Sequence, residues 1–526
     1  MKIAISFPPL ESDKGTPLLS QNRQFQWFNS PTYIYPVIPA YLATVLKANG
    51  HEVFWDDGIA EGLSYDQWLA RIIKEQPDVI VIESKTPVIN KHWKIIDELK
   101  TKIKNLPALS LSRGKLKIVI VGDHVTALPE ESLRNSQVDF AVSGGDFDFI
   151  VLSIIKKLNN QGELEGGVYW RENGVIKNSG VYDLKKHSLD ELPMIDRELT
   201  KWKLYAYKNG NFKYPPGTYL MSGRDCWWGK CTFCSWTTMF PGNCFRTRSA
   251  KLALDEVRHL IDLGVKEIME DSGSLPVGQW LEDFCRGMIE RGYNLKVTLS
   301  CNMRLNGIKD EKIWQLMKRA GFRFVLFGLE SANQATLDKI NKGLQVEEIE
   351  SGLRICKAAG LEPHITAMIG YPWETYEDAK RTVDLAKDLF KKGYVNTLQA
   401  TILIPYPGTM LYKYCLENNL LNFTDYDRFD QREQVMKSPL TNEQVKELTQ
   451  GLYKSFLTPK FIFNKILAIR NFDDIKFLCR AGLKVLGHLT DFEKSKSPLK
   501  RGVDRRLGGT GCVSEACVTK INIMYV

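Results

Sequence analysis

No window of the 526-residue sequence reaches eighteen uncharged apolar residues, so no membrane-spanning helix is expected. There is no internal repeat and no Walker phosphate loop, and the stretch GGDFDF at 144–149 is too degenerate for a dinucleotide fingerprint. The opening MKIAISFPPL is broken too early, by Pro8 and Pro9, for a secretory signal, and is expected to be a first β-strand. The cytoplasm, where thiols stay reduced, is therefore the expected compartment. A basic body is also missing. Net charge is +9, but the segment from Lys454 onward holds 14 Lys and Arg against 6 Asp and Glu, so the rest is nearly neutral. That argues against a nucleic-acid groove in the main domains. Finally, the 11 cysteines, odd in number, argue against a complete disulfide framework.

Most of those cysteines invite little. Cys285, Cys301, Cys356, Cys415 and Cys479 stand singly among apolar residues and are expected to be small buried hydrophobes. Cys226, Cys231 and Cys234 alone form a cluster, DCWWGKCTFCSW, with Cys244 ten residues beyond it.

The fold class is read as α/β. Over residues 1–160 short apolar strands (KIAISF, HEVFWDD, PDVIVIES, KLKIVIVGD, VDFAVSGG) alternate with amphipathic helices. That pattern predicts a doubly wound parallel sheet, whose ligands sit at the carboxyl ends of its strands. The candidate ends are FPP at 7–9, VGDH at 121–124 and SGGD at 143–146. Residues 161–215 are expected to connect, with a small hairpin turning at Asn173-Gly174. A second βα series, 216–415, offers six strands, too few for a full eight-stranded barrel and suited to a partial one. A mainly helical region is expected over 416–490 and a disordered tail over 491–526.

The cysteine loop leaves the first strand of that second series, where such barrels do chemistry. Two metal readings compete. Structural zinc takes four ligands, usually from two paired knuckles. Here there is one pair, with Cys244 or the remote His259 to complete it. A four-iron cluster can instead be held by three thiolates, leaving one iron open to a further ligand.

At these residues the sequence resembles the cobalamin-binding radical S-adenosylmethionine enzymes. The family's C-x3-C-x2-C appears here as C-x4-C-x2-C, with one extra residue within Trp227–Lys230. Further matching stretches follow in order: RTRSAKLALDEVRHLIDLGVKEIMEDSGS, CNMRL, FGLESANQATLDKINKG, MIGYPWET and PYPGT. The resemblance implies a Rossmann-like, cobalamin-binding type of N-terminal domain, a radical (β/α)6 partial barrel and a helical extension. It implies a [4Fe-4S] cluster on Cys226, Cys231 and Cys234, with S-adenosylmethionine on the open iron. By position, Phe233 is expected beside the adenine, Asp271 and Ser272 at the methionine amino group, Arg304 at its carboxylate, and Glu330 at the ribose, with Gly370 also on this cofactor. EDSG replaces the family's Gly-Gly-Glu-like turn.

For cobalamin the resemblance points to Pro8, Pro9, Gly122, Asp123, His124, Thr126, Gly144 and Gly145. Asp-x-His-x-x-Gly is absent, so no histidine is expected to ligate cobalt from below. The reaction implied is methylation of an unactivated carbon of a small or hydrophobic metabolite. Alternatives are an oxidative cyclase like the anaerobic magnesium-protoporphyrin monomethyl ester enzyme, or a non-catalytic iron–sulfur or zinc module. Expected partners are a small or lipid-like substrate and an external electron donor such as flavodoxin or ferredoxin. The basic tail, with Phe461, Phe463, Ile466, Leu467 and Leu478 interleaved, could rest on an anionic membrane.

Overall fold

The computed structural model describes residues 1–18, 25–29, 31–104, 116–210, 212–453, 469, 474–480 and 482. In the N-terminal part, β1 (Lys2–Phe7) leads through a short ladder, β2 (Thr16–Pro17) on β3 (Trp27–Phe28), to α1 (Val37–Ala48) and β4 (Glu52–Asp57). Next come α2 (Tyr65–Glu75), β5 (Val79–Glu83), α3 (Ile89–Lys104), β6 (Lys117–Val121), α4 (Asp123–Ala127), α5 (Pro129–Asn135), β7 (Phe140–Val142) and α6 (Phe147–Leu158). The hairpin β8 (Val168–Glu172) and β9 (Val175–Asn178) completes the sheet, in the order β4-β1-β5-β6-β7-β8-β9.

The local causes are legible. Apart from Lys117, the residues of β5 and β6 are buried, because helices cover both faces of the parallel strands. Helix α2 begins in a capping box, Ser64 accepting from the Gln67 amide while Gln67 reaches back to the Ser64 amide. Replacing such a cap by alanine costs about 1 kcal/mol. The sheet order reverses between β4-β1 and β5-β6-β7, placing the switch point at the carboxyl ends of β1 and β5.

The hairpin corrects one expectation. Its turn lies at Asn173-Gly174, both with positive φ, as the dipeptide predicts. It is not part of a detached connector. β8 pairs antiparallel with β7, Phe140 opposite Trp170, so the first sheet runs on to Asn178.

The second sheet starts with β10 (Gly217–Leu220). A small ladder, β11 (Gly223–Arg224) with β12 (Arg246–Thr247), brackets the cysteine loop and α7 (Trp236–Met239). Then follow α8 (Ala250–Asp262), β13 (Glu267–Glu270), α9 (Gln279–Glu290), β14 (Thr298–Met303), α10 (Glu311–Arg319) and β15 (Phe322–Glu330). The series ends with α11 (Gln334–Lys339), α12 (Val346–Ala358), β16 (Glu362–Ile369), α13 (Tyr376–Lys391), β17 (Thr397–Ile402), α14 (Met410–Glu417) and α15 (Asn442–Tyr453). Its six strands run parallel in sequence order, β10-β13-β14-β15-β16-β17, as an open partial barrel.

The region after the barrel is less helical than expected. Between α14 and α15 the chain is mostly irregular, held by a bridge between Leu421 and Met436. It returns across the N-terminal sheet: Lys14 bonds Asp430 at 2.7 Å, and Tyr426 donates to Glu131 at 3.2 Å. Of the basic amphipathic stretch, residues 474–480 are helical and are fixed beside β10 by Lys213–Asp474 at 2.7 Å. Phe461, Phe463, Ile466, Leu467 and the tail 491–526 lie outside the described residues. No helix among the described residues is long and apolar enough to cross a membrane.

Candidate active site between two sheet ends

The carboxyl ends of the two sheets face each other. Gly145, after β7, donates its amide to the Met239 carbonyl of α7 at 2.8 Å. A Cβ on Gly145 would sit 2.3 Å from the Phe240 ring, so the absent side chain is what permits this approach. Gly408, after β17, would likewise meet Thr238 and Ala127. A buried charge network fixes the contact. Arg224 donates to Asp146 at 2.9 Å and to both carboxylate oxygens of Asp148, and Arg246 holds Asp146 at 2.6 and 2.9 Å. Burial pushes the Asp148 carboxyl above its ordinary range against the pull of Arg224; at Asp146 burial is overcome by the two arginines and the carboxyl lies below it.

Cys226, Cys231 and Cys234 lie in this seam, half-buried and not in disulfides. The loop is bent by Asp225, with φ of 74°, and by Gly229, whose Cβ would strike Asn243 at 2.2 Å. Gly273 admits Cys226, since a Cβ there would lie 2.9 Å from the Cys226 Cβ. Among the described residues no three His, Cys, Asp or Glu side chains converge on one ion position. A four-iron cube spreads its thiolates over separate irons, whereas structural zinc gathers four ligands on one ion.

Trp228 stacks on the Arg304 guanidinium at 4.3 Å and donates to the Asn341 carbonyl at 2.8 Å, and Trp227 lies 5.5 Å from the same guanidinium. Arg304 donates to the carbonyls of Lys342 and Gly343. Glu330, with φ of 64° at a bulge in β15, receives the Lys342 ammonium at 2.6 Å. Arg304 and Glu330 are thus together beside the cysteines, though each already has protein partners.

Phe233 packs at the edge of an apolar cluster that includes Leu337, Met368, Tyr371 and Leu403. Ser272 donates to Glu270 at 2.5 Å and accepts from the Gly223 amide at 2.8 Å, while Asp271 accepts from Asn302 at 3.1 Å. Gly370 turns at φ of 101° with Val445 and Ile402 as its neighbours, among helix α15 and strand β17. Sequence reading missed Glu270. It is buried at the end of β13, accepts from the Ser222 amide at 2.8 Å, and is pushed up by burial to about 7.

At the N-terminal sheet, Gly122 lets β6 close on Ser84, where a Cβ would lie 2.1 Å from the Ser84 carbonyl oxygen. Pro8 is buried, Pro9 packs on Gly58, and Asp123 accepts from the His124 amide at 2.7 Å. His124 is enclosed, its ring nitrogens 3.2 Å from Thr86 and Glu131. Thr126 accepts from the Gly144 amide at 3.2 Å. A small recess lies at the ends of β1 and β4, lined by Phe7, Tyr33, Asp57 and Tyr205 among others. Burial raises the Asp57 carboxyl to about 6. Glu83 Oε2 at the end of β5 and Gln431 Oε1 from the returning segment are buried acceptors with no donor among the described residues. Burial pushes Glu83 up to about 7. Such orphaned acceptors fit a ligand rimmed with amide groups, as a corrin ring is.

Residues 221–386 match the family model of the radical SAM superfamily. An uncharacterized methyltransferase of Pyrococcus horikoshii is 29% identical over 445 residues, covering 83% of this chain and 91% of that protein. The anaerobic magnesium-protoporphyrin IX monomethyl ester cyclase of Rubrivivax gelatinosus is 25% identical over 440 residues, covering 81% and 74%. Among solved structures, the cobalamin-dependent radical enzyme OxsB, with aqua-cobalamin and S-adenosylmethionine bound, superposes with a TM-score of 0.66 at 16% identity over 92% of this chain and 71% of its own. The radical methyltransferase TsrM of Kitasatospora setae, with cobalamin and a [4Fe-4S] cluster bound, gives 0.61 at 15% identity over 86% and 85%. At those identities the likeness speaks for the fold, and the cysteine loop and the matched family speak for the chemistry. Residues 221–386 thus carry a radical SAM domain, preceded by a parallel-sheet domain in the fold of the solved cobalamin-dependent radical enzymes.

Proposed function

We propose that this enzyme methylates an unactivated carbon of a small or hydrophobic metabolite, using a [4Fe-4S] cluster, S-adenosylmethionine and cobalamin. The observation that carries the reading is the seam itself: the cysteine loop and the carboxyl end of the N-terminal sheet are held against each other by Arg224, Arg246, Asp146 and Asp148. A radical made at one face can then meet a methyl donor at the other without crossing water. When bound, the cluster supplies the electron that cleaves S-adenosylmethionine to methionine and a 5′-deoxyadenosyl radical.

The chain's own residues bind and orient. Cys226, Cys231 and Cys234 would hold three irons. Phe233 offers an apolar ring for the adenine. Arg304, whose buried Nε has no acceptor among the described residues, presents a donor suited to the methionine carboxylate. Glu330 is placed for the ribose hydroxyls, with Asp271 and Ser272 for the amino group. Glu83 and Gln431 would take amide donors of the corrin rim. The reductant would be a low-potential one-electron protein such as flavodoxin or ferredoxin. The basic segment 454–490 would give peripheral contact with an anionic membrane, testable by liposome pull-down with and without it.

The test is anaerobic reconstitution with iron, sulfide and cobalamin, followed by S-adenosylmethionine and dithionite. The expected products are methionine and 5′-deoxyadenosine, lost in Cys231→Ala. No 5′-deoxyadenosine above background refutes the reading. A second reading, oxidative cyclisation, is favoured by the cyclase relative. With substrate present, S-adenosylhomocysteine accompanies methyl transfer and is absent from cyclisation.

A further inference from the structure

The loop Asn341-Lys342-Gly343 is bound to the cysteine loop at several points. The Thr232 amide, between Cys231 and Cys234, donates to the Ile340 carbonyl at 3.0 Å, and the Trp228 indole donates to Asn341. The carbonyls of Lys342 and Gly343 hold Arg304. Two cations are thereby fixed beside the thiols: Arg304 is 5% and Lys342 7% exposed. Lys342 is aimed by Glu330, and room for that pair comes from Gly328, where a Cβ would lie 2.0 Å from the Glu330 carboxylate and 2.6 Å from the Lys342 nitrogen. Glu330 is the opposing charge. Arg304 is held by carbonyls and the Trp228 ring and by no carboxylate among the described residues, so two cations and one carboxylate leave a net positive charge beside the cysteine loop. Lys230, within the cysteine loop, is exposed and screened by water.

Reduction of a cluster by one electron adds one negative charge. Buried cations beside its thiolates stabilise the reduced form more than the oxidised one, because little solvent screens them, and so raise the potential. We infer that Lys342, seconded by Arg304, is a positioning residue that raises the reduction potential of the cluster on Cys226, Cys231 and Cys234; this rests on the cluster reading above. The electron comes from a low-potential iron–sulfur or flavin protein. It converts a 2+ cluster to 1+, and leaves it again for the sulfonium of S-adenosylmethionine, whose carbon–sulfur bond breaks as the cluster returns to 2+.

The test is a potentiometric titration of the reconstituted full-length protein, without S-adenosylmethionine, followed by electron paramagnetic resonance. Lys342→Met is expected to lower the one-electron reduction equilibrium about tenfold, which is about 59 mV. Lys342→Arg is expected to stay near wild type. The double variant Lys342→Met with Glu330→Gln strands no buried charge, and its potential is expected to fall by less than that of the single variant. It keeps the test open where the single variant does not fold. An unchanged potential in Lys342→Met, or in the double variant, with full iron and sulfide content overturns the inference. Absence of a cluster from reconstituted wild type overturns the cluster reading instead.

Discussion

Removing Arg224 tests what holds the two sheets together. The side chain is 1% exposed and both its carboxylate partners are fully buried. In Arg224→Met, Asp146 keeps the two bonds from Arg246, whereas Asp148 keeps only the Phe149 amide at 3.0 Å. One buried carboxylate is therefore stranded, and breaking a buried pair in this way costs about 3–5 kcal/mol. Asp148 can reduce that cost by taking a proton. Its folded pKa, already raised by burial, rises further without Arg224. A carboxyl raised in the folded state gives stability that is lost as pH climbs, so the deficit is smallest near pH 5 and largest near pH 8. Arg224→Met with Asp148→Asn should recover most of the loss. Hydrogen exchange in β10 and α6, compared with wild type at each pH, reads the local opening free energy. The expected change at pH 8 is roughly 10²-fold or more. Exchange within about tenfold of wild type, or a deficit independent of pH, refutes the reasoning.

Gly145→Val would drive a side chain into Phe240; overpacking of this kind costs about 1–3 kcal/mol, and cobalamin retention on gel filtration should fall with it. Trp228→Ala removes the stack on Arg304 and the bond to Asn341, so iron loss to a chelator should be faster than in wild type. Glu270, raised to about 7 by burial, makes the fold lose stability as pH rises from about 4.5 to 7, by on the order of 3 kcal/mol. Glu270→Gln should flatten that part of a stability–pH curve measured by urea unfolding.

The architecture could be read from the chain because its strands are local signals. A strand buried on both faces must be a continuous apolar run, as at Val79–Glu83 and Lys117–Val121, and the intervening helices carry one apolar face. The Asn173-Gly174 turn was equally local. Its attachment to Phe140–Val142 was not, because strand pairing is decided by distant residues. The same division runs through the site. The cysteine spacing and the strand-end positions of Arg304 and Glu330 are visible in one dimension. Their partners are not: Lys342, whose carbonyl accepts from Arg304, is 38 residues from it, and Arg224 is 78 residues from Asp146. Glu270 and Glu83 look like ordinary strand ends, and only burial sets them apart.

The segment that returns over the N-terminal sheet joins positions far apart in the sequence. Lys14 and Asp430 are 416 residues apart, and Asn90 and Asp427 are 337 apart. During synthesis the first sheet can form long before residue 430 leaves the ribosome. Its mouth, where Glu83 and His124 lie, stays uncovered for that whole interval. The Lys14–Asp430 and Asn90–Asp427 contacts are therefore among the last that the described residues can make during synthesis.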